Sequence, residues 1–89
     1  MYAIEASNMA DYARKLIKAN KFSHIITVIE STVENAELPE KVDTIISEPL
    51  GIFLLNERML ETFVIARQKF LKPDGKMFPT RAELFIVPF

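Results

Sequence analysis

Two short runs of branched aliphatic residues, Ile25-Ile26-Thr27-Val28-Ile29 and Val42-Asp43-Thr44-Ile45-Ile46-Ser47, narrow the possible folds more than anything else in this chain. Such density suits strands buried within a sheet, the pattern of parallel sheets. Parallel neighbours need a crossover, usually a helix. The sequence supplies one on either side. Tyr2-Ala3-Ile4 reads as a short strand ending on Glu5, and Ser7 or Asn8 can cap the helix that follows, because both side chains accept from unpaired amides. Met9, Ala13, Leu16, Ile17 and Asn20 fall on one face of that helix. Glu37 to Glu40 reads as a loop. A second helix is expected from about Asn56 to Leu71, with Leu60, Phe63, Val64 and Phe70 towards the core. It stops before Pro73, Asp74-Gly75 is a turn signal, and Arg81 to Phe89 alternates enough for a final strand.

The order strand, helix, strand, strand, helix, strand predicts an α/β fold: a parallel sheet with crossover helices, part of a doubly wound, Rossmann-like unit. With 89 residues there is room for one domain, and 49% hydrophobic residues imply a packed core. A net charge of −1 argues against a nucleic-acid or polybasic membrane surface. No cysteine is present, so disulfide and thiolate chemistry are excluded, which fits an intracellular compartment. No apolar run reaches membrane-spanning length, and Met1 leads into strand-like sequence without a signal-peptide pattern.

Ligands of such sheets bind beyond the carboxyl ends of the strands. Glu5, Val33-Glu34 and Glu48 each follow a strand end, so the pattern puts them on one edge. An acid in the place of Glu5 can accept from two ribose hydroxyls, although on spacing alone a helix N-terminal acid is the commoner reading. Glu48 and Glu57 stand nine positions apart at the ends of an apolar stretch, with Pro49 and Gly51 allowing a hairpin-like excursion. Two carboxylates facing one pocket repel unless a cation lies between them, and a planar guanidinium suits that gap. The competing reading is a surface loop in which Asn56 caps a helix and Glu57 sits in its first turn. That reading leaves Leu50, Ile52, Phe53, Leu54 and Leu55 unexplained, since an exposed apolar loop needs a partner or a pocket. His24, the sole histidine, opens a strand with no second ligand, which makes a poor metal site.

The segment Ser47-Glu48-Pro49-Leu50-Gly51 through Asn56-Glu57-Arg58-Met59-Leu60-Glu61 closely resembles the double-glutamate loop of protein arginine methyltransferases, in the form of the coactivator-associated (type I) branch. The resemblance begins at Tyr2-Ala3-Ile4-Glu5-Ala6-Ser7 and continues to Leu71-Lys72-Pro73-Asp74-Gly75-Lys76-Met77-Phe78-Pro79-Thr80. It implies a class I methyltransferase fold and transfer of a methyl group from S-adenosylmethionine to a protein arginine, possible histone arginine included, without a metal. Residues 1–89 would be the central to C-terminal part of the cofactor-binding domain. The resemblance assigns Glu48 and Glu57 to catalysis. It gives Glu5 to the cofactor ribose, Val33 and Glu34 to the adenine edge, and Met59 and Thr62 to its methionine and adenine portions. Core packing is the simpler account of Met59.

In this family a glycine-rich turn precedes the segment matching Tyr2, while a threonine-histidine-tryptophan loop, a β-barrel and a dimerisation arm follow the segment matching Phe89. The resemblance thus implies a homodimeric full-length form, and the family's active-site histidine belongs to the barrel, so His24 is not its counterpart. Ile52 stands where the family usually has tyrosine. Two other classes of function stay open on the residues: an inactive or interaction module, and a small-molecule methyltransferase of the same fold. The two-acid loop disfavours the last.

Overall fold

The computed structural model describes residues 1–89 and divides them into two compact units, Met1–Pro39 and Glu40–Phe89. Each is a strand, a helix and a second strand parallel to the first, so both crossovers expected from the sequence are present. The strands form two separate pairs, β1 with β2 and β3 with β4, where a single sheet was expected.

In the first unit, β1 (Tyr2–Glu5) pairs with β2 (Thr27–Glu30) in register from Tyr2 opposite Thr27 to Glu5 opposite Glu30. The intervening helix α1 spans Met9–Ala19. Its exit is fixed by a Schellman motif: Lys21 N–H donates to the Lys18 carbonyl at 3.0 Å and Phe22 N–H to that of Ile17 at 2.9 Å. Lys21 takes the left-handed conformation, φ 62°, that this closure requires. The chain then turns through Ile25 and Ile26, whose amides both bond to the Phe22 carbonyl at 2.9 Å. Those two residues therefore serve the turn, β2 begins two positions later than the run of branched residues suggests, and His24 lies outside the strand.

The buried face of α1 also differs from expectation. Ala10 is fully buried and Ala13 and Ile17 are half-buried, whereas Met9 and Leu16 are 58% and 64% exposed and Asn20 is exposed. Ala10, Ala13 and Ile17 share a face by helical spacing, so the inward face lies about one residue around from the one expected. Small side chains there let the helix approach the strand pair closely.

In the second unit, β3 (Val42–Ile46) is followed by α2 (Met59–Phe70) and β4 (Leu71–Phe78). Val42 pairs with Leu71, but Thr44 pairs with Lys76, so β4 carries extra residues between those two pairs. Pro73 has no N–H to give a ladder, and Asp74-Gly75 follow it. The expected turn is thus taken up as an irregularity inside β4. Lys72 Nζ bonds Asp43 Oδ1 at 2.6 Å across it, and that bond holds the ammonium pKa above its ordinary value. A β-carbon on Gly75 would stand 2.5 Å from Leu71 Cδ1 and 3.0 Å from the Asp43 carbonyl oxygen, so the irregular stretch closes only around glycine.

Ala66 and Phe70 are buried, Leu60 and Phe63 half-buried, and Val64 is 44% exposed. Leu71–Phe78 pairs with β3 instead, and the expected strand at Arg81–Phe89 does not form: residues 81–89 are exposed and irregular. No helix is long and apolar enough to cross a membrane.

Candidate active site

Glu5 closes β1, and its register partner Glu30 closes β2. Two acids ending adjacent parallel strands would repel, and the fold treats them differently. Arg14, from α1, donates to Glu30 Oε2 and to Asp11 Oδ1, both at 2.9 Å. The Glu30 contact is the main cause that raises the Arg14 pKa. Glu5 is held by the residue that starts the helix: Ser7 N–H donates to Glu5 Oε1 at 2.7 Å, while Ser7 Oγ accepts from Met9 N–H at 3.2 Å. The Ser7 side chain and then its amide hold the Glu5 carboxyl below its ordinary pKa of 4.5. Glu5 is thus a fixed, ionised acceptor, with lone pairs beyond those that Ser7 uses.

The chain leaves β2 directly beside it, since Ser31 N–H donates to the Glu5 carbonyl at 3.1 Å. It then bends at Val33-Glu34, where the Thr32 carbonyl accepts from Asn35 N–H at 3.2 Å and Ala36 N–H at 2.9 Å. Ala36 is buried and anchors the bend, Val33 is half-buried and Glu34 is exposed. Glu5, Val33 and Glu34 therefore all follow the carboxyl ends of one parallel pair.

In the second unit, Ser47 N–H extends the ladder by donating to the Phe78 carbonyl at 3.0 Å. Glu48 is the next residue, exposed at the carboxyl end of β3, and Pro49 behind it is fully buried and pins the loop. The loop then makes successive tight turns: Leu54 N–H to Gly51 O at 2.9 Å, Leu55 N–H to Phe53 O at 2.7 Å, and Arg58 N–H to Leu55 O at 3.1 Å. Phe53, Leu54 and Arg58 all have φ between 56° and 63°. Left-handed backbone costs a residue with a β-carbon about 1–2 kcal/mol. Ile52, Phe53 and Leu55 are 75%, 72% and 65% exposed.

Helix α2 starts at Met59, capped by Arg58 without a side-chain bond. Asn56 is therefore not its N-cap and Glu57 is not in its first turn, which removes the ordinary helix-start explanation for this acid. Arg58, adjacent to Glu57, is paired instead with Glu61, its Nη2 lying 3.1 Å and 3.2 Å from the two carboxylate oxygens. None of the chain's ion pairs uses Glu48 or Glu57. The Glu57 side chain folds over Gly51: a β-carbon there would stand 2.7 Å from Glu57 Cγ, 2.9 Å from Cδ and 2.3 Å from Asn56 Oδ1. Met59, 38% exposed, and the half-buried Thr62 lie one turn apart at the start of α2.

A family model described as PRMT5 arginine-N-methyltransferase matches residues 1–78. The chain belongs to the arginine N-methyltransferase family. Histone-arginine methyltransferase CARMER of Drosophila ananassae is 62% identical over all 89 residues, and the protein described as probable histone-arginine methyltransferase CARMER of Drosophila melanogaster is 61% identical. The chain spans 17% of the length of each. Among solved structures, Arabidopsis thaliana protein arginine methyltransferase 10 superposes with a TM-score of 0.86 at 56% identity, over 88% of this chain and 22% of that one. The Trypanosoma brucei PRMT1 enzyme–prozyme heterotetrameric complex with AdoHcy gives 0.85 at 47% identity, over 88% of this chain and 25% of its own. Family and fold class are as the double-glutamate loop implied.

Three contributors to this arginine methyltransferase segment were not read from the sequence as site residues. Ser7 was considered only as a helix cap, yet it fixes Glu5, and its spacing of two from that acid is the signal. Arg14 lies off the helix face singled out in the sequence, yet it neutralises the acid beside Glu5. Gly51 was read as a turn former, yet its lack of a side chain is what admits Glu57.

Proposed function

We propose that this chain carries cofactor-binding and arginine-binding residues of an enzyme that methylates a guanidinium nitrogen of protein arginine, histone arginine included. The carrying observation is the loop in which Glu48 and Glu57 stay out of every ion pair while the neighbouring arginine is paired elsewhere.

The first unit fits S-adenosylmethionine in its donor and acceptor chemistry. Glu5, ionised and held by Ser7, would take the ribose hydroxyls. Val33 and Glu34, at the bend beyond β2, would meet the adenine edge, and Met59 and Thr62 would hold the cofactor from the start of α2. When bound, the cofactor supplies an electrophilic methyl group on a sulfonium, with a neutral thioether as the leaving group.

Glu48 and Glu57 would each hydrogen-bond one side of the guanidinium. Their two negative charges draw its delocalised positive charge towards the loop, leaving density on the nitrogen that attacks. Holding that nitrogen in line is the rest of their contribution. The exposed apolar residues Ile52, Phe53 and Leu55 would line the approach of the substrate side chain and be covered on binding. A nuclear or cytoplasmic setting and a homodimeric full-length form go with this reading, as does the absence of any nucleic-acid or membrane partner.

The test places these 89 residues within the flanking sequence of the Drosophila melanogaster relative, which supplies what the chain does not span. Labelled S-adenosylmethionine is offered with an arginine peptide, its lysine counterpart and free arginine. Methylation of the arginine peptide, weakened first in cofactor affinity by Glu5→Gln, is expected. A folded chimera that labels free arginine or lysine in preference to the arginine peptide would overturn the assignment.

A further inference from the structure

Gly51 stands at the foot of the catalytic loop, and its importance lies in space and not in backbone freedom. Its φ is not in the left-handed region, so an alanine can adopt its conformation. The three atoms nearest to where a β-carbon would stand are all side-chain atoms: Asn56 Oδ1 at 2.3 Å, Glu57 Cγ at 2.7 Å and Glu57 Cδ at 2.9 Å. Real β-carbons do not approach so closely, and something must move. None of these three nearest atoms is backbone, and both side chains are exposed and can swing out. A methyl group at position 51 would therefore leave the loop folded and expel the Glu57 carboxylate from its place. Gly75 is the contrasting case, because there the Asp43 carbonyl oxygen stands 3.0 Å from the would-be β-carbon.

We infer that Gly51 is a positioning residue for the arginine-binding carboxylate, keeping open the space over its Cα in which the Glu57 side chain lies. The inference rests on the functional reading above, in which Glu57 touches the guanidinium. The carboxyl carbon lies close over Gly51, in space that a side chain there would fill, with Asn56 Oδ1 beside it. A guanidinium gripped between two carboxylates needs both in fixed positions, and a misplacement of about 1 Å can cost about a hundredfold in rate.

The experiment is a double-mutant cycle in the same chimeric enzyme: Gly51→Ala, Glu57→Gln and both together. It reads kcat, KM for the arginine peptide, cofactor Kd and melting temperature. Gly51→Ala alone is expected to lower kcat by about a hundredfold, with cofactor Kd and melting temperature those of the parent. The double variant is expected to be no slower than Glu57→Gln alone, because a side chain already without its charge has nothing left to lose by displacement. Near-parental turnover in Gly51→Ala beside a collapsed Glu57→Gln would overturn the inference and spare the functional reading. So would losses that multiply in the double variant, or a lowered melting temperature, which would mark Gly51 as merely structural. Normal turnover in Glu57→Gln would instead overturn the functional reading itself.

Discussion

Replacing Glu57 by glutamine keeps the size of the side chain and removes one charge. In the folded chain Glu57 is exposed and belongs to no ion pair, so the fold loses little, within about 0.5 kcal/mol for such a surface change. The substrate complex is different. A guanidinium drawn between Glu48 and Glu57 is removed from water on both sides, and truncating one partner of such a desolvated pair costs about 2–5 kcal/mol. At about 1.36 kcal/mol per tenfold, that is a loss of about thirtyfold to several-thousandfold in kcat/KM for the peptide. Glu48→Gln should behave alike, since it removes the opposite half of the same grip. The assay is label transfer to an arginine peptide in the chimeric enzyme, with cofactor binding by calorimetry and a thermal melt on the same samples. Both variants should melt with the parent and bind cofactor normally while turnover falls. If either retained turnover within threefold of the parent, the two-acid grip would be wrong, and the loop acids would be no more than surface charges.

Further expectations concern the two units separately. Because Ser7 holds the Glu5 carboxyl below its ordinary pKa of 4.5, the charged form and the stability it brings are complete above that value and are lost as pH falls through the lower, folded one. Ser7→Ala should move the Glu5 midpoint upwards in a carbon-detected NMR titration, and an unmoved midpoint would refute the assignment of cause. Lys21→Gly should stabilise the first unit by up to about 1 kcal/mol, the left-handed penalty at φ 62° less the entropy glycine adds to the unfolded chain; a lowered urea midpoint would count against it. Gly75→Ala should destabilise the second unit, overpacking of about 1–3 kcal/mol outweighing the roughly 0.4–1 kcal/mol that alanine gains through the unfolded state. Equal or greater stability of that variant would show that the β4 irregularity relaxes freely. The 89-residue chain on its own should bind S-adenosylmethionine more weakly than micromolar, an affinity that needs about 8 kcal/mol, because its two-stranded sheets have open edges. Calorimetry finding micromolar binding would contradict this.

The order of elements was legible because each depends on local pattern: branched runs for β2 and β3, helical spacing for α1 and α2, and Pro73 beyond the end of α2. What was not legible depended on who pairs with whom. Ile25 and Ile26 have the composition of a strand, yet the Schellman exit of α1 commits their amides to Phe22. Asp74-Gly75 has the composition of a turn, yet pairing of Thr44 with Lys76 draws it into β4. Leu71–Phe78 pairs with β3, and the alternating pattern of Arg81–Phe89, expected as the final strand, stayed exposed although the strand pair keeps open edges. Composition reports what a segment can do, and hydrogen-bond competition decides which of those things it does.

The site divides along the same line. Charged residues at strand ends announce themselves in sequence, and the structure does place Glu5, Glu34 and Glu48 at or beyond strand ends. What holds an acid in place does not announce itself, because the holding groups are backbone amides, small residues and empty space. Ser7 restrains Glu5 largely through the two atoms any serine would offer, and Gly51 serves Glu57 by having no atom where one would obstruct it. Glu57 carries the clearest case. Its sequence context, after Asn56 and ahead of a helix, is that of an ordinary first-turn acid, which would gain stability from the helix dipole. The fold forgoes that gain. It delays α2 to Met59, puts Arg58 into left-handed backbone with φ 56°, and turns the arginine side chain to Glu61. The left-handed Arg58 costs local stability, and the arrangement leaves the Glu57 carboxylate without a cation of its own. Unused electrostatic capacity of this kind, kept at the expense of strain, is what a site for an incoming guanidinium requires.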